Sequence, residues 1–153
     1  MILAVGDPAP AFTLAGPSGP ITSADFAGRK LVLYFYPKDD TPGCTTEAVA
    51  FTALAGDFAA ADTAILGVSK DSVTSHGKFA TKHKLTITLG ADEGEVTEAF
   101  GAWVAKSMYG KTYMGIERCT FLIGRDGRIA QIWRKVKVPG HADAVLAAAR
   151  ALP

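Results

Sequence analysis

Only two cysteines occur among the 153 residues, Cys44 and Cys119, too few for the disulfide framework of a small secreted domain. No apolar run is long enough to span a bilayer, and the opening stretch MILAVGDPAP lacks a basic leader and is broken by Gly6 and Asp7 before it could act as a signal peptide. Neither sign of charge is in excess. Sixteen basic residues against fifteen acidic ones give a net charge of +1, which creates no field to gather nucleic acid or an anionic membrane surface. The basic residues Arg134, Lys135 and Lys137 alternate with apolar ones and read as the solvated face of a strand. His76 and His83 could share a helix face, but no cysteine or carboxylate joins them at metal-binding spacing, so both read as solvated surface residues and no metal is expected. Gly110-Lys111-Thr112 has the end of a phosphate-binding loop without its beginning, since Ala105 stands where the first glycine belongs, and no nucleotide site is expected there. No cofactor is expected. Repeats and low-complexity linkers are missing as well. These absences leave one cytoplasmic domain over residues 1–153, without nucleic-acid or membrane partners, whose cysteines stay reduced or react.

What is present suits an ordinary packed domain: 48% of the residues are apolar and 20% charged, and the length allows one sizeable core. Residues 1–30 are rich in Gly and Pro, with strand candidates at Phe12–Ala15 and near Ile21, and predict an N-terminal β-hairpin extension. Leu31–Tyr36 is continuously apolar, the pattern of a central strand covered on both faces, and it stops at Pro37. From Thr45 to Ala61 the pattern is helical, with Phe51, Leu54 and Phe58 on one face. A strand over Ala64–Ser69, a helix over Val73–Lys84, a strand near Thr86–Leu89 and a helix near Glu95–Gly101 follow. Such alternation predicts an α/β fold whose sheet is mainly parallel and flanked by helices. Cys119–Ile123 and Arg128–Trp133, joined through Asp126-Gly127, predict an antiparallel hairpin, and a last helix runs over Ala142–Ala151. Trp103 and Trp133 read as packing residues.

The chemistry concentrates on Cys44. Thr41 followed by Pro42 is the sequence of a helix N-cap with proline at the first helical position, which puts Cys44 in the first turn. There the unpaired backbone N–H groups and the helix dipole favour a thiolate. Lowering a cysteine pKa from about 8.5 to about 6 gains only about thirtyfold in thiolate at neutral pH, or about 2 kcal/mol. Fast thiol chemistry therefore requires further donors beside the sulfur.

The segment from Pro37 to Cys44 matches the Pro-x-x-x-Thr-x-x-Cys signature of the peroxiredoxins, and YFYPKDDTPGCT resembles the bacterioferritin comigratory protein, or peroxiredoxin Q, subfamily. A second stretch from Phe100 to Ile123, FGAWVAKSMYGKTYMGIERCTFLI, is similar to the same subfamily and contains Arg118 where the family keeps its active-site arginine. The resemblance extends over nearly the whole chain and makes Gly110-Lys111-Thr112 part of a connecting loop. It implies a thioredoxin-like fold with a central mixed sheet, and a thiol-dependent peroxidase acting on hydrogen peroxide and organic hydroperoxides. Cys44 would attack the peroxide and become a sulfenic acid, with Arg118 holding sulfur and oxygens. Thr41 would offer its hydroxyl to the substrate, Pro37 would shield the sulfur, and the N–H groups of Gly43 and Cys44 would be further donors. Thioredoxin or another thiol would restore the enzyme, which the resemblance implies to be a monomer or weak homodimer.

Two departures matter. The third residue after Cys44 is Glu47, which excludes a thioredoxin-type Cys-x-x-Cys dithiol, and Val49 stands where many relatives carry a resolving cysteine. No cysteine lies between residues 45 and 118. Cys119 is left, and strand alternation turns it away from the side on which Arg118 would face Cys44, so a one-cysteine mechanism without a resolving residue is expected. The rival reading is a non-catalytic thioredoxin-fold redox sensor or binding module, for which Thr41 and Arg118 would have no use.

Overall fold

The computed structural model describes residues 2–153. The apolar run becomes strand β3 (Lys30–Phe35), buried at every position. Its alternate side chains feed two separate cores. Val32 and Tyr34 face a core with Phe51, Phe58, Phe79, Val145 and Leu146, whereas Leu31, Leu33 and Phe35 face one with Phe12, Phe100 and Phe121. A strand sandwiched in this way has no solvent face, which is why its sequence shows no polar alternation.

β3 lies in the interior of a seven-stranded sheet, between β4 (Thr63–Ser69) and β8 (Cys119–Ile123). Including β1 (Thr13–Gly16), β2 (Gly19–Thr22), β5 (Thr88–Ala91) and β9 (Ile129–Trp133), the order is β2-β1-β5-β4-β3-β8-β9. β3, β4 and β5 are parallel, while β8 runs antiparallel to β3 and pairs Phe35 with Cys119 and Tyr34 with Thr120. The expected N-terminal hairpin forms from β1 and β2 and extends the sheet at one edge, where Ala15 of β1 pairs with Ala91.

The helices α1 (Pro42–Ala53), α2 (Ala55–Ala60), α3 (Val73–His83) and α5 (His141–Ala151) supply the core on the Val32–Tyr34 face. The single helix expected over Thr45–Ala61 is thus two, because at Leu54 the backbone N–H bonds to Phe51 O (3.2 Å), three residues back, and the helix restarts. This bend lets Phe51 and Phe58 both be fully buried. A cation is buried beneath α5: Lys30 Nζ donates to Ala149 O (2.6 Å) and Leu152 O (2.8 Å), using the negative end of the helix.

Other expectations shift. β5 begins two residues later than the Thr86–Leu89 pattern suggests, and the helix near Glu95–Gly101 shortens to α4 (Val96–Ala99). The loop expected around Gly110-Lys111-Thr112 is instead a hairpin of β6 (Trp103–Met108) and β7 (Lys111–Ile116). Its two-residue turn has Tyr109 at φ 52° and Gly110 at φ 77°, the pair of positive values that a tight hairpin requires. Both strands are largely exposed, so no alternating burial marks them in the sequence. Arg134, Lys135 and Lys137 follow the end of β9 and are not the face of a strand, and the Arg134 guanidinium lies 5.6 Å from the Phe121 ring centre. Trp103 and Trp133 are half-buried and pack against the two cores. Among the described residues no helix is long and apolar enough to cross a membrane.

Candidate active site

β3 delivers the chain to the site. Tyr36 still bonds to the sheet, its N–H donating to Val68 O (3.1 Å), and Pro37 then lies exposed at the first position of the loop. Asp40, at φ 59°, turns the loop toward α1. Thr41 occupies the N-cap in extended conformation and Pro42 the first helical position, as the sequence predicts. The Thr41 side chain, however, does not cap the helix, because Oγ1 donates to Lys38 O (2.8 Å). The first bond of the turn runs from Thr45 N–H to Thr41 O (2.8 Å), so the N–H groups of Gly43 and Cys44 lie ahead of it and receive no side-chain cap. With its proton committed to Lys38, the Thr41 hydroxyl has lone pairs to offer a ligand.

Cys44 is buried, only 2% exposed. Arg118, immediately before β8, reaches it across the face of the sheet: Nη2 donates to Cys44 Sγ (3.4 Å) and Nη1 to Glu47 Oε1 (2.7 Å). Burial opposes the Arg118 charge, yet Glu47 and the Cys44 sulfur outweigh it and raise its pKa above the ordinary value. Burial pushes the Glu47 carboxyl up to about 7 against the pull of Arg118. A buried ion pair of this kind adds little net stability after desolvation, and its value is positional. Gly43 makes room for it. A Cβ at that position would sit 3.2 Å from Arg118 Nη2, so a side chain there would press on the guanidinium.

The polar atoms around the sulfur are incompletely satisfied. Glu47 Oε2 and the Tyr34 hydroxyl are buried without a hydrogen-bond partner, and Tyr34 stacks on Phe51 at 4.8 Å between ring centres in the same core as Cys44. Burial, with Glu47 and Cys44 adding to it, raises the Tyr34 pKa well above its usual value, so the phenol stays neutral. Cys119 lies in the opposite core, and burial pushes its thiol up to about 12.

The structure thus brings Cys44, Arg118 and Gly43 into contact, sets Thr41 in the same turn and Pro37 at the head of the loop, and separates Cys119 from them. Glu47 escaped the sequence reading as part of the site, although a carboxylate one helical turn beyond a buried cysteine is the natural partner for an incoming arginine. His76 is a correction: it is buried, not solvated, because its ring is enclosed beside Asp39 under the loop, and Nδ1 lies 2.7 Å from Asp39 Oδ2. His83 is half-buried and bonds to Asp40 Oδ1 (2.7 Å).

Comparison with known proteins places the chain in a family. The AhpC/TSA family pattern matches residues 5–132. Peroxiredoxin Bcp of Bacillus subtilis is 50% identical over 143 residues, spanning 92% of this chain and 91% of its own. Peroxiredoxin Bcp of Xanthomonas campestris is 55% identical over 126 residues, 82% of this chain and 79% of its own. Among solved structures, Xylella fastidiosa PrxQ in a cysteine-to-serine variant superposes with a TM-score of 0.92 at 41% identity, covering 99% of this chain and 98% of that one. A bacterioferritin comigratory protein structure from X. campestris, studied for alkyl peroxide reduction, gives a TM-score of 0.87 at 50% identity over 92% and 90% of the two chains. Fold and site define a thioredoxin-like, thiol-dependent peroxidase. The chain belongs to the AhpC/TSA family, in its bacterioferritin comigratory protein or peroxiredoxin Q branch.

Proposed function

We propose that Cys44 is the peroxidatic residue of a one-cysteine peroxidase acting on hydrogen peroxide and organic hydroperoxides. The observation that carries the reading is the Arg118 guanidinium on the Cys44 sulfur at an uncapped helix N-terminus (3.4 Å). The thiolate attacks the terminal peroxide oxygen, an S–O bond forms as the O–O bond breaks, and the leaving hydroxide or alkoxide takes a proton from water. Arg118 and the N–H groups of Gly43 and Cys44 act as donors to the oxygens as charge moves onto them, Thr41 accepts from the peroxide hydroxyl, and Pro37 limits access of bulk water. The product is a Cys44 sulfenic acid.

An external thiol, from thioredoxin or a small molecule, then attacks the sulfenic sulfur to give a mixed disulfide and water, and a second thiol releases Cys44. The supporting facts for a single cysteine are the burial of Cys119 in the other core and its high pKa. The whole chain acts as one unit in this reading, as a monomer or weak homodimer in a reducing compartment such as the cytoplasm, without metal or cofactor. Purified protein should consume hydrogen peroxide with dithiothreitol or a thioredoxin system, and Cys44→Ser should abolish it. Retained turnover in that variant would remove Cys44 from the assignment.

A further inference from the structure

The loop that ends at Thr41 and leads into the helix of Cys44 is held from below by groups that never touch the sulfur. Asp39 is buried, and its carboxylate is a hub: Tyr36 OH donates to Oδ1 (2.5 Å), Ser75 Oγ donates to Oδ2 (2.8 Å), and His76 Nδ1 lies 2.7 Å from Oδ2. His76 Nε2 lies 3.1 Å from Gly90 O, a carbonyl that can only accept, so Nε2 donates and ties the hub to β5. These bonds, with burial working against them, hold the Asp39 carboxyl below the usual carboxylate range. The backbone N–H of Asp39 donates to Asp71 Oδ2 (2.8 Å), which Ser69 Oγ also reaches (2.7 Å). The ligand atoms of Asp39, Asp71 and His76 lie within 4.8 Å of one another, but each is already engaged in a hydrogen bond of this network. The cluster therefore reads as a clamp.

Its connection to the chemistry runs through a single peptide unit. The N–H of Asp39 and the C=O of Lys38 belong to the same planar amide. Asp71 grips that plane by its N–H, and the Thr41 hydroxyl donates to its C=O (2.8 Å). The orientation of the plane thus decides where the Thr41 hydroxyl goes. An N-cap threonine otherwise turns its oxygen onto the N–H of the second or third helical residue, which here are Gly43 and Cys44.

We infer that Asp39, Asp71 and His76 are positioning residues for peroxide reduction: they fix the Lys38–Asp39 peptide so that Thr41 bonds to Lys38 and leaves the Gly43 and Cys44 N–H groups free for substrate. The inference rests on the peroxidatic reading of Cys44. Released from the clamp, the Thr41 oxygen falls back onto its ordinary cap, and the donors are consumed by the protein itself.

The experiment compares two reactions of the same sulfur in the full chain: oxidation by hydrogen peroxide and alkylation by iodoacetamide. Both need an accessible thiolate, which the N–H groups favour in each case, but only the first also needs Thr41 and those N–H groups as partners for the peroxide oxygens. Asp71→Ala and His76→Ala should each lower the second-order peroxide rate by about tenfold or more while alkylation changes by less than about threefold. Asp71→Asn, which keeps an acceptor for the Asp39 N–H, should recover the peroxide rate to within about threefold of the parent. Thr41→Val should cost much less in the Asp71→Ala background than in the parent, because the hydroxyl is then already misdirected. Unchanged peroxide rates, equal losses in both reactions, or failure of Asp71→Asn to recover would overturn the clamp. Should His76→Ala not fold, the half-buried Asp71 decides alone. Peroxide turnover surviving in Cys44→Ser would instead overturn the reading beneath it, whatever the clamp variants do.

Discussion

Cys119 follows directly on Arg118, whose guanidinium touches the Cys44 sulfur, yet Cys44 and Cys119 are buried in different cores on opposite faces of the central sheet. One step along a strand reverses the side chain, so sequence adjacency to the site here means structural separation from it. A disulfide requires Cα atoms within about 7 Å and side chains directed at each other. One equivalent of peroxide followed by dimedone should label Cys44, and mass spectrometry should find no Cys44–Cys119 peptide. Cys119→Ser should keep thiol-linked turnover within about twofold. Rapid formation of that disulfide, with loss of turnover in Cys119→Ser, would refute the one-cysteine mechanism.

Gly43 separates stability from activity. Alanine is the better helix former by up to about 1 kcal/mol, so Gly43→Ala should not lower thermal stability. Its Cβ, however, would lie 3.2 Å from Arg118 Nη2, so the guanidinium must give by a few tenths of an ångström where it meets the sulfur. Peroxide reduction should slow by about threefold, well short of the loss in Arg118→Ala. Calorimetry and stopped-flow kinetics on both variants check this, and an unchanged rate in Gly43→Ala would show that the contact has no role.

Glu47 and His141 should oppose each other in the pH dependence of stability. Burial raises Glu47 from 4.5 to about 7, so above pH 4.5 the unfolded chain releases a proton that the folded one keeps, and stability falls as pH rises to about 7. Burial, and then Arg118, lowers His141 from 6.5 to about 4, so its contribution is full above pH 6.5 and is lost as pH falls toward 4. Each is worth up to about 3 kcal/mol, and in the shared window they offset. Denaturant titrations should find the parent nearly level there. Glu47→Gln should gain stability at neutral pH and show stability rising from about pH 4 to 6.5, whereas His141→Asn should show it falling between about pH 4.5 and 7. Parallel pH profiles in the parent and both variants would contradict these burial effects.

Phe51 anchors the helix that carries Cys44. It is fully buried and meets Tyr34 at 4.8 Å, Phe58 at 5.9 Å and His141 at 6.2 Å between ring centres. Phe51→Ala should cost about 3–5 kcal/mol, and a fall in Tm of less than a few degrees would argue that the site can collapse around the loss.

Much of this protein is written locally. The unbroken apolar run of β3, the Thr41-Pro42 helix start and the Asp126-Gly127 turn are short-range signals, and each leads to the element observed. The N-terminal turn that holds Cys44 follows from residues 41–44 alone, because capping and dipole effects act within one turn of helix. Strand alternation, carried one residue back from β8, likewise puts Arg118 and Cys119 on opposite sides.

Tertiary structure decided the rest, because the remaining contacts join residues distant in sequence. Arg118 meets Glu47 across 71 positions, and Asp39 meets His76 across 37, so neither local propensity nor periodicity records them. His76 looked solvated because its neighbours Ser75 and Gly77 are polar or small, and only the packing of α3 beneath the loop buries it. Thr41 has the sequence of a cap, and its hydroxyl turns to Lys38 instead, on a peptide plane that Asp71 holds. Local chemistry placed the cysteine at the start of the helix. The long-range hydrogen bonds, which only a closed fold can form, set the groups around it.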